Sequence, residues 1–457
     1  MIPDTSDVRI AAVAVLSACL LAASPAAAAE TLTLAQAAAR ALSSNPDLAV
    51  DAPGREAAEA ELEASRAGYR PRVDLEQSYS GGNNPVYVFG TLLTQRRFTA
   101  GNFALPSLNQ PDPIDNLQTR IVAQQTLWDL GRTRQRRDMA QLGVELADRG
   151  HEENIRRVLF AVVDAYHAVS LAQEAWDASR VALESAQAIL TQARSRFDSG
   201  LAVEADVLRS QVVLARAREQ EIQARGQHEI ARSHLNRLMG APLDAAFGET
   251  ARLTPAKLPL PTEDALIAEQ RQRRPDYQRL LTEVRQAELD VRARRAELLP
   301  VLGAFASWEA DNPSFHDAGG TNWTAGVSFR WNIYAGGGDA ARQQAARNRL
   351  EQKRRQLAAL ESAMALEVHQ ALVQCRSAEQ QVDVMQAAEA QSVESLRILK
   401  NRYESGLATI TDLLSAENAR AAARAALANA VYRYRIGYAQ VEFAAGTLSP
   451  TSTAMNP

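Results

Sequence analysis

Residues 196–208 read Arg-Phe-Asp-Ser-Gly-Leu-Ala-Val-Glu-Ala-Asp-Val-Leu, and 206 positions later residues 402–414 read Arg-Tyr-Glu-Ser-Gly-Leu-Ala-Thr-Ile-Thr-Asp-Leu-Leu. Each copy lies between long alanine-rich helical stretches. The chain is therefore expected to fold as two like halves, each carrying a helix–glycine–helix turn. The interval is far longer than a solenoid repeat, which points to a duplicated half-protein rather than an array.

The duplication reaches beyond the turns. Asn45-Pro46-Asp47-Leu48 resembles Arg274-Pro275-Asp276-Tyr277, 229 positions on. The same spacing relates Pro71 to Pro300, where each half leaves a helix for extended chain, and Thr33 to Thr262, both expected helix N-caps. Gln36 three residues after Thr33 completes a capping-box pattern, and Glu263 and Asp264 suit the positive end of a helix. Trp128-Asp129-Leu130-Gly131 matches Tyr334-Ala335-Gly336-Gly337 at the spacing of 206, so the first half carries 23 extra residues between Pro71 and Trp128. The stretch 81–116 is rich in Gly, Asn and Pro and reads as a long loop.

Ile10 to Ala23 is a short apolar run followed by small residues, and Ala27 and Ala29 fit signal-peptidase cleavage before Glu30. Leu16-Ser17-Ala18-Cys19 also resembles a lipoprotein box that would lipidate Cys19; Leu20-Leu21 directly after it favours the first reading. Beyond Ala29 there is no run of about 18 apolar residues, so the mature chain is not expected to cross a bilayer as a helix. Cys375 is then the one cysteine left, which excludes an intrachain disulfide. A net charge of −4 gives no electrostatic basis for nucleic-acid binding. Alanine is the commonest residue within the hydrophobic content of 46% and aromatics are only 5%, which suits thin helix–helix seams.

Trp128 to Phe197 contains no proline. Its apolar residues Ile155, Leu159, Val162, Tyr166 and Val169, continued by Gln173 and Trp176, alternate spacings of four and three, a heptad seam. Val382, Met385, Leu396, Leu399 and Tyr403 repeat this more weakly, with Glu389 and Ser392 as a polar middle. The extended parts differ. Trp323, Ala325, Val327, Phe329, Trp331 and Ile333 alternate with Thr324, Gly326, Ser328, Arg330 and Asn332, a strand with one apolar and one polar face. Its expected partner is Val301–Trp308; Val73, Leu75 and Tyr79 are expected to pair around Ile121–Leu127. Four strands cannot close a barrel alone, and open edges are not tolerated in lipid. If they span a membrane, several chains share one barrel.

Taken together the pattern resembles the TolC family of outer-membrane efflux proteins over roughly residues 31–447. Leu-Trp-Asp-Leu-Gly-Arg at 127–132 and Ile-Tyr-Ala-Gly-Gly at 333–337 are similar to the family's strand-to-helix junctions, and the two Ser-Gly-Leu-Ala turns to its periplasmic hairpin tips. The resemblance implies a mainly α fold with a small β part. Long helical hairpins would form a periplasmic α-barrel, and four strands per chain would contribute to a trimeric twelve-stranded β-barrel. The implied divisions are a signal peptide at 1–29, a first repeat at 30–250 (hairpin about 72–127, tip about 197–202), a second at 251–447 (hairpin about 301–333, tip about 403–408) and a tail at 448–457. The implied role is the passive exit duct of a tripartite efflux or type I secretion system. Its partners would be a periplasmic adaptor, an inner-membrane transporter reached through the adaptor, and outer-membrane lipid.

The resemblance also places candidate sites. Ser199, Gly200, Leu201, Ala202 and their copies Ser405, Gly406, Leu407, Ala408 suit docking of an adaptor hairpin, on top of the ordinary role of glycine as a helix C-cap. Asp412 falls where family members ring the inner constriction with acid; Asp206, likewise six residues beyond its tip glycine, either adds to that ring or faces a neighbouring helix. Ser415 stands where a second acidic ring is expected, and Ala408 where a basic residue helps hold the entrance shut. Gly336-Gly337-Gly338 lacks the spacing and Lys-Ser/Thr of a phosphate loop. The six histidines show no ligand spacing. The arginines 132, 134, 136 and 137 read as a solvated helix face, or else as a group near the barrel's periplasmic mouth. No catalytic constellation, metal site or cofactor site is expected. The alternative, an exported soluble coiled-coil scaffold, explains the helices but not the alternation at 323–333.

Overall fold

The computed structural model describes residues 31–455; the expected signal peptide and Cys19 lie outside the described residues. The first half runs α1 (Leu34–Ser44), α2 (Pro46–Ala49), α3 (Asp51–Arg66), β1 (Arg72–Gly82), α4 (Pro85–Thr94), α5 (Leu105–Asn109), β2 (Ile114–Trp128), α6 (Arg132–Asp198) and α7 (Glu204–Leu238). The second runs α8 (Glu263–Arg273), α9 (Pro275–Ala296), β3 (Val301–Asn312), β4 (Gly320–Arg330), α10 (Gly338–Glu404) and α11 (Ile410–Ala445). Helices α6 and α10 are each 67 residues long, about 100 Å at about 1.5 Å per residue. No helix among the described residues is long and apolar enough to cross a membrane.

The strands form one antiparallel sheet in the order β1-β2-β3-β4. The strands pair as expected, in a register that sets Leu75 opposite Ile121 and Trp308 opposite Trp323. Two expectations need correction. Residues 81–116 are not simply a loop. They hold α4, a 3-10 turn at Ala100–Phe103 and α5, packed around an edge-to-face cluster of Phe89, Phe98 and Phe103. Asn84 caps α4 by accepting from the Val86 and Tyr87 amides, and Pro85 takes the first helical position, where its missing N–H costs nothing. The second correction is at β4, which stops at Arg330 although the alternation continues to Ile333.

The seam on α6 is buried at Leu159, Val162, Tyr166 and Val169 as expected, but Val158, Val163 and Ala165 are buried too. The stripe is wider than a heptad seam because α6 packs against α1, α7, α9 and α11 together. In the second half Val382, Leu396 and Tyr403 are buried, and the polar middle is half-buried, with Ser392 Oγ donating to the Glu389 carbonyl at 2.7 Å.

The halves close on themselves in the same way. Thr33 makes the expected capping box with Gln36; Thr262 occupies the N-cap of α8, but its side chain makes no cap bond. Asn45 caps α2 and sends Nδ2 to the carbonyl of Leu238, while Arg274, its counterpart, reaches the carbonyl of Ala444. Gly240 and Gly446 end these helices at φ +70° and +84°. A Cβ on Gly240 would lie 2.0 Å from the backbone oxygen of Ser44; one on Gly446 would lie 3.0 Å from the carbonyl carbon of Arg273, the residue that corresponds to Ser44. Gly240→Ala combines left-handed strain with a backbone collision and should cost more than about 1 kcal/mol. Gly226→Ala, inside α7 with nothing near its Cβ, should be neutral or stabilising by up to about 1 kcal/mol. Circular-dichroism melts in detergent check this; indistinguishable melts for the two variants would show that the Ser44 contact carries no weight.

Candidate functional site

Residues opposite each other in register share a face of the sheet. One face carries Glu76, Arg120, Glu309, Ser307, Ser328 and Arg330; the other carries Leu75, Tyr79, Ile121, Trp308, Val327 and Phe329. The apolar face is open: Trp323 is 77% exposed and Val327 65%. Such a surface costs about 25 cal/mol per Å² in water and nothing of the kind against hydrocarbon. Phe305 is an aromatic on the polar face, which also carries Val122 and Val301. It lies over Gly326, where a Cβ would come within 2.9 Å of the ring.

At the end of the sheet away from the long helices, the extra residues of the first half fold onto the polar face. Asp311, 1% exposed, accepts from Asn116 Nδ2 at 2.8 Å and Gln118 Nε2 at 3.0 Å. Gln95, equally buried, donates to the Asp115 carbonyl and to Asn116 Oδ1. Arg96 donates to the Thr321 carbonyl at 2.7 Å, and Asn322 Nδ2 to the Thr94 carbonyl at 3.2 Å, so the insert reaches across to β4. Sequence reasoning missed this network. Its members lie up to 228 residues apart and share no local motif.

At the other end, both junctions use two successive left-handed residues: Leu130 (φ 54°) and Gly131 (φ 89°), then Gly336 (φ 62°) and Gly337 (φ 80°). Leu130 is tolerated because Asp129 folds the turn, accepting from the Gly131 amide at 3.0 Å and from the Thr133 amide and hydroxyl at 2.7 and 2.6 Å. Arg132 is no solvated arginine. It donates to the carbonyls of Ala296 and Leu299 at 3.0 and 2.5 Å, stapling the start of α6 to the end of α9. Arg134 and Arg137 pair with Asp138.

The tips are C-terminal turns of the Schellman type. Gly200 (φ 71°) donates to Phe197 and Leu201 to Arg196; Gly406 (φ 76°) donates to Tyr403 and Leu407 to Arg402. Leu201 and Leu407 are 79% and 71% exposed. Ser199 and Ser405 are exposed, but each hydroxyl is turned back to its own helix, at Ser195 and Asn401. Ala202 and Ala408 are half-buried rather than presented. Arg196, not anticipated, crosses between tips. It donates to the Tyr403 carbonyl at 2.9 Å and lies 4.4 Å over the Tyr403 ring. Arg209 Nη1 likewise reaches Thr411 Oγ1 at 2.7 Å. The recurrence of Arg beside an aromatic at 196–197 and 402–403 was the available signal.

Asp412 is exposed and sits in the first turn of α11, in a capping box: Oδ2 accepts from the Thr409 amide at 2.9 Å and hydroxyl at 2.7 Å. These bonds hold its carboxyl below the usual carboxylate range. Asp206 is half-buried in the first turn of α7, where Val203 stands in place of Thr409 and supplies no cap. Ser415 is exposed one turn further along α11.

An antiparallel sheet with a bare apolar face, carried on by two helical hairpins about 100 Å long, defines the wall segment of a membrane channel with a helical extension. The chain belongs to the outer membrane efflux protein family, which it matches over residues 37–241 and 266–447. It is 27% identical over 400 residues to the alkaline protease secretion protein AprF of Pseudomonas aeruginosa, covering 84% of this chain and 78% of that one. A crystal structure of a membrane protein from Pseudomonas aeruginosa shares the fold with a TM-score of 0.75 at 20% identity, over 90% of this chain and 93% of that one. The CmeC outer membrane channel of Campylobacter jejuni does so with a TM-score of 0.74 at 20% identity, over 93% and 88%. The protein is thus an outer-membrane exit duct with a long periplasmic helical extension, a passive channel rather than an enzyme.

A depressed carboxyl pKa stabilises the folded tip at pH values above the unfolded pKa, and the stabilisation is lost as pH falls through the folded one. Protection of the Thr409 amide against hydrogen exchange should therefore persist down through the ordinary carboxylate range and fail only in stronger acid. Asp412→Ala should abolish it at neutral pH, and Asp206→Ala should leave it intact.

Proposed function

We propose that three copies of the chain close a single twelve-stranded barrel, and that their hairpins converge at an entrance lined by Asp412 from each copy. The observation that carries this reading is the sheet, whose apolar face is exposed while β1 and β4 remain as outer edges. In hydrocarbon each edge needs a strand partner, and in a closed ring another copy supplies it. The polar face then lines the lumen. A soluble scaffold would leave the apolar face in water, so the sheet argues against that alternative.

The hairpin tips dock a periplasmic adaptor through the exposed Leu201 and Leu407 and the turns Ser199–Ala202 and Ser405–Ala408, and the adaptor connects the duct to an inner-membrane transporter that supplies the energy. The family's description supports efflux as the service performed; the relative concerned with alkaline protease secretion supports type I secretion. Both use a passive duct. Asp412 spends Oδ2 on its cap, which leaves Oδ1 for an ion. A bound cation, or protonation, relieves the mutual repulsion of the ring and favours closure. Asp206 adds to the ring, whereas Ser415 contributes no second one, so the effect is modest.

Protein extracted in detergent should sediment as a trimer and conduct in planar bilayers. Divalent cations on the periplasmic side should block it, and Asp412→Asn should weaken the block. A monomer in detergent would overturn the assembly. Unchanged block in both Asp412→Asn and the Asp206→Asn, Asp412→Asn double variant would remove the carboxylates from the gate. At the tips, Gly200→Asp or Gly406→Asp should abolish export and adaptor cross-linking while the trimer persists; normal export in both would place docking elsewhere.

A further inference from the structure

We propose that β4 of one copy pairs with β1 of the next in one defined register, with Ser328 opposite Ser78 of the partner subunit and Arg330 opposite Glu76 of the partner subunit, an ion pair on the lumen side of each seam. This rests on the trimeric reading above and specifies its contacts.

The register follows from the duplication. Every pair between β1 and β2 becomes a pair between β3 and β4 when 229 is added to the first residue and 206 to the second. Arg72 opposite Gln124 becomes Val301 opposite Arg330, Leu75 opposite Ile121 becomes Ala304 opposite Val327, and Gly82 opposite Ile114 becomes Asp311 opposite Gly320. The left-handed junctions at 130–131 and 336–337, and the cap glycines 240 and 446, obey the same spacings. The halves are therefore equivalent units, and the pairing of β2 with β3 is the contact between one unit and the next. In a ring of such units that contact recurs between β4 and the following β1. Val122 opposite Ser307, and Gln124 opposite Phe305, then become Ser328 opposite the partner subunit's Ser78 and Arg330 opposite the partner subunit's Glu76.

The residues so paired match chemically. Val327 meets the partner subunit's Tyr79 and Trp331 meets the partner subunit's Leu75 on the apolar face. On the polar face, Glu309, Arg120 and Glu76 already stand in one row across β3, β2 and β1. The partner's Arg330 continues their alternation of sign, and opposite charges directly across strands attract. A one-residue slip would turn every side chain to the wrong face. A two-residue slip would set Val327 against the polar Gln77, and Arg330 against Asp74, whose carboxylate Arg72 already holds at 2.9 Å. The same seam accounts for Trp331–Tyr334. Their counterparts, Gln125–Trp128, are strand alongside β3, so 331–334 join β4 when the next copy's β1 lies beside them.

The test is disulfide trapping of the full-length protein in native membranes, with Ser328→Cys combined in turn with Glu76→Cys, Ser78→Cys or Ser80→Cys. Cys375 is buried and does not compete. The Ser78 combination should form covalent oligomers on oxidation about tenfold faster than either neighbour. Faster trapping with Glu76→Cys or Ser80→Cys overturns the register while leaving the trimer standing. No trapping in a protein that sediments as a trimer overturns this seam, and no trapping in a monomer overturns the trimeric reading itself. For the ion pair, Arg330→Gln and Glu76→Gln should each lower the temperature at which the trimer dissociates, and the double variant should fall no further than the worse single. Additive losses would show that the two groups do not interact.

Discussion

A backbone N–H or C=O that faces hydrocarbon must find its partner within protein. The sheet meets this demand along its three inner ladders, β1 with β2, β2 with β3 and β3 with β4. Its outer edges cannot meet it within one chain. Closure into a ring, a lipid-facing apolar surface and a wet polar lumen are all answers to that single requirement. The helices have no such problem, since each satisfies its own backbone, and they can extend about 100 Å on seams of alanine and valine.

Duplication supplies parts that already fit. The same two spacings carry the strand register, the paired left-handed junctions and the cap glycines from one half to the other. Where the residue types differ, the job is kept by other means. Leu130 holds a left-handed conformation with the help of Asp129, where Gly336 needs none. Asn45 and Arg274 reach corresponding carbonyls with an amide and a guanidinium.

Features written in short-range pattern were legible in the sequence: the tip glycines, the long proline-free helices, and the pairing of the strand at Val73–Tyr79 with the one around Ile121–Leu127. The α4 helix was hidden by the Gly, Asn and Pro around it, although Asn84-Pro85 is itself a helix start. Arg132 and Arg196 were misjudged or missed because their partners, carbonyls at 296, 299 and 403, have no side-chain signature. The end of β4 could not be read from alternation alone, because a strand's extent depends on its neighbours as well as on its own residues.

The two kinds of tip have a mechanical consequence. In one hairpin the returning helix is fastened at its first turn by Thr409 and Asp412; in the other, Val203 leaves that turn unfastened. Around a ring of three copies, firm and soft staves alternate. The soft ones remain tethered to their neighbours through Arg196 and Arg209. The ring is thus threefold rather than sixfold in stiffness, with each unfastened turn tied to a fastened one.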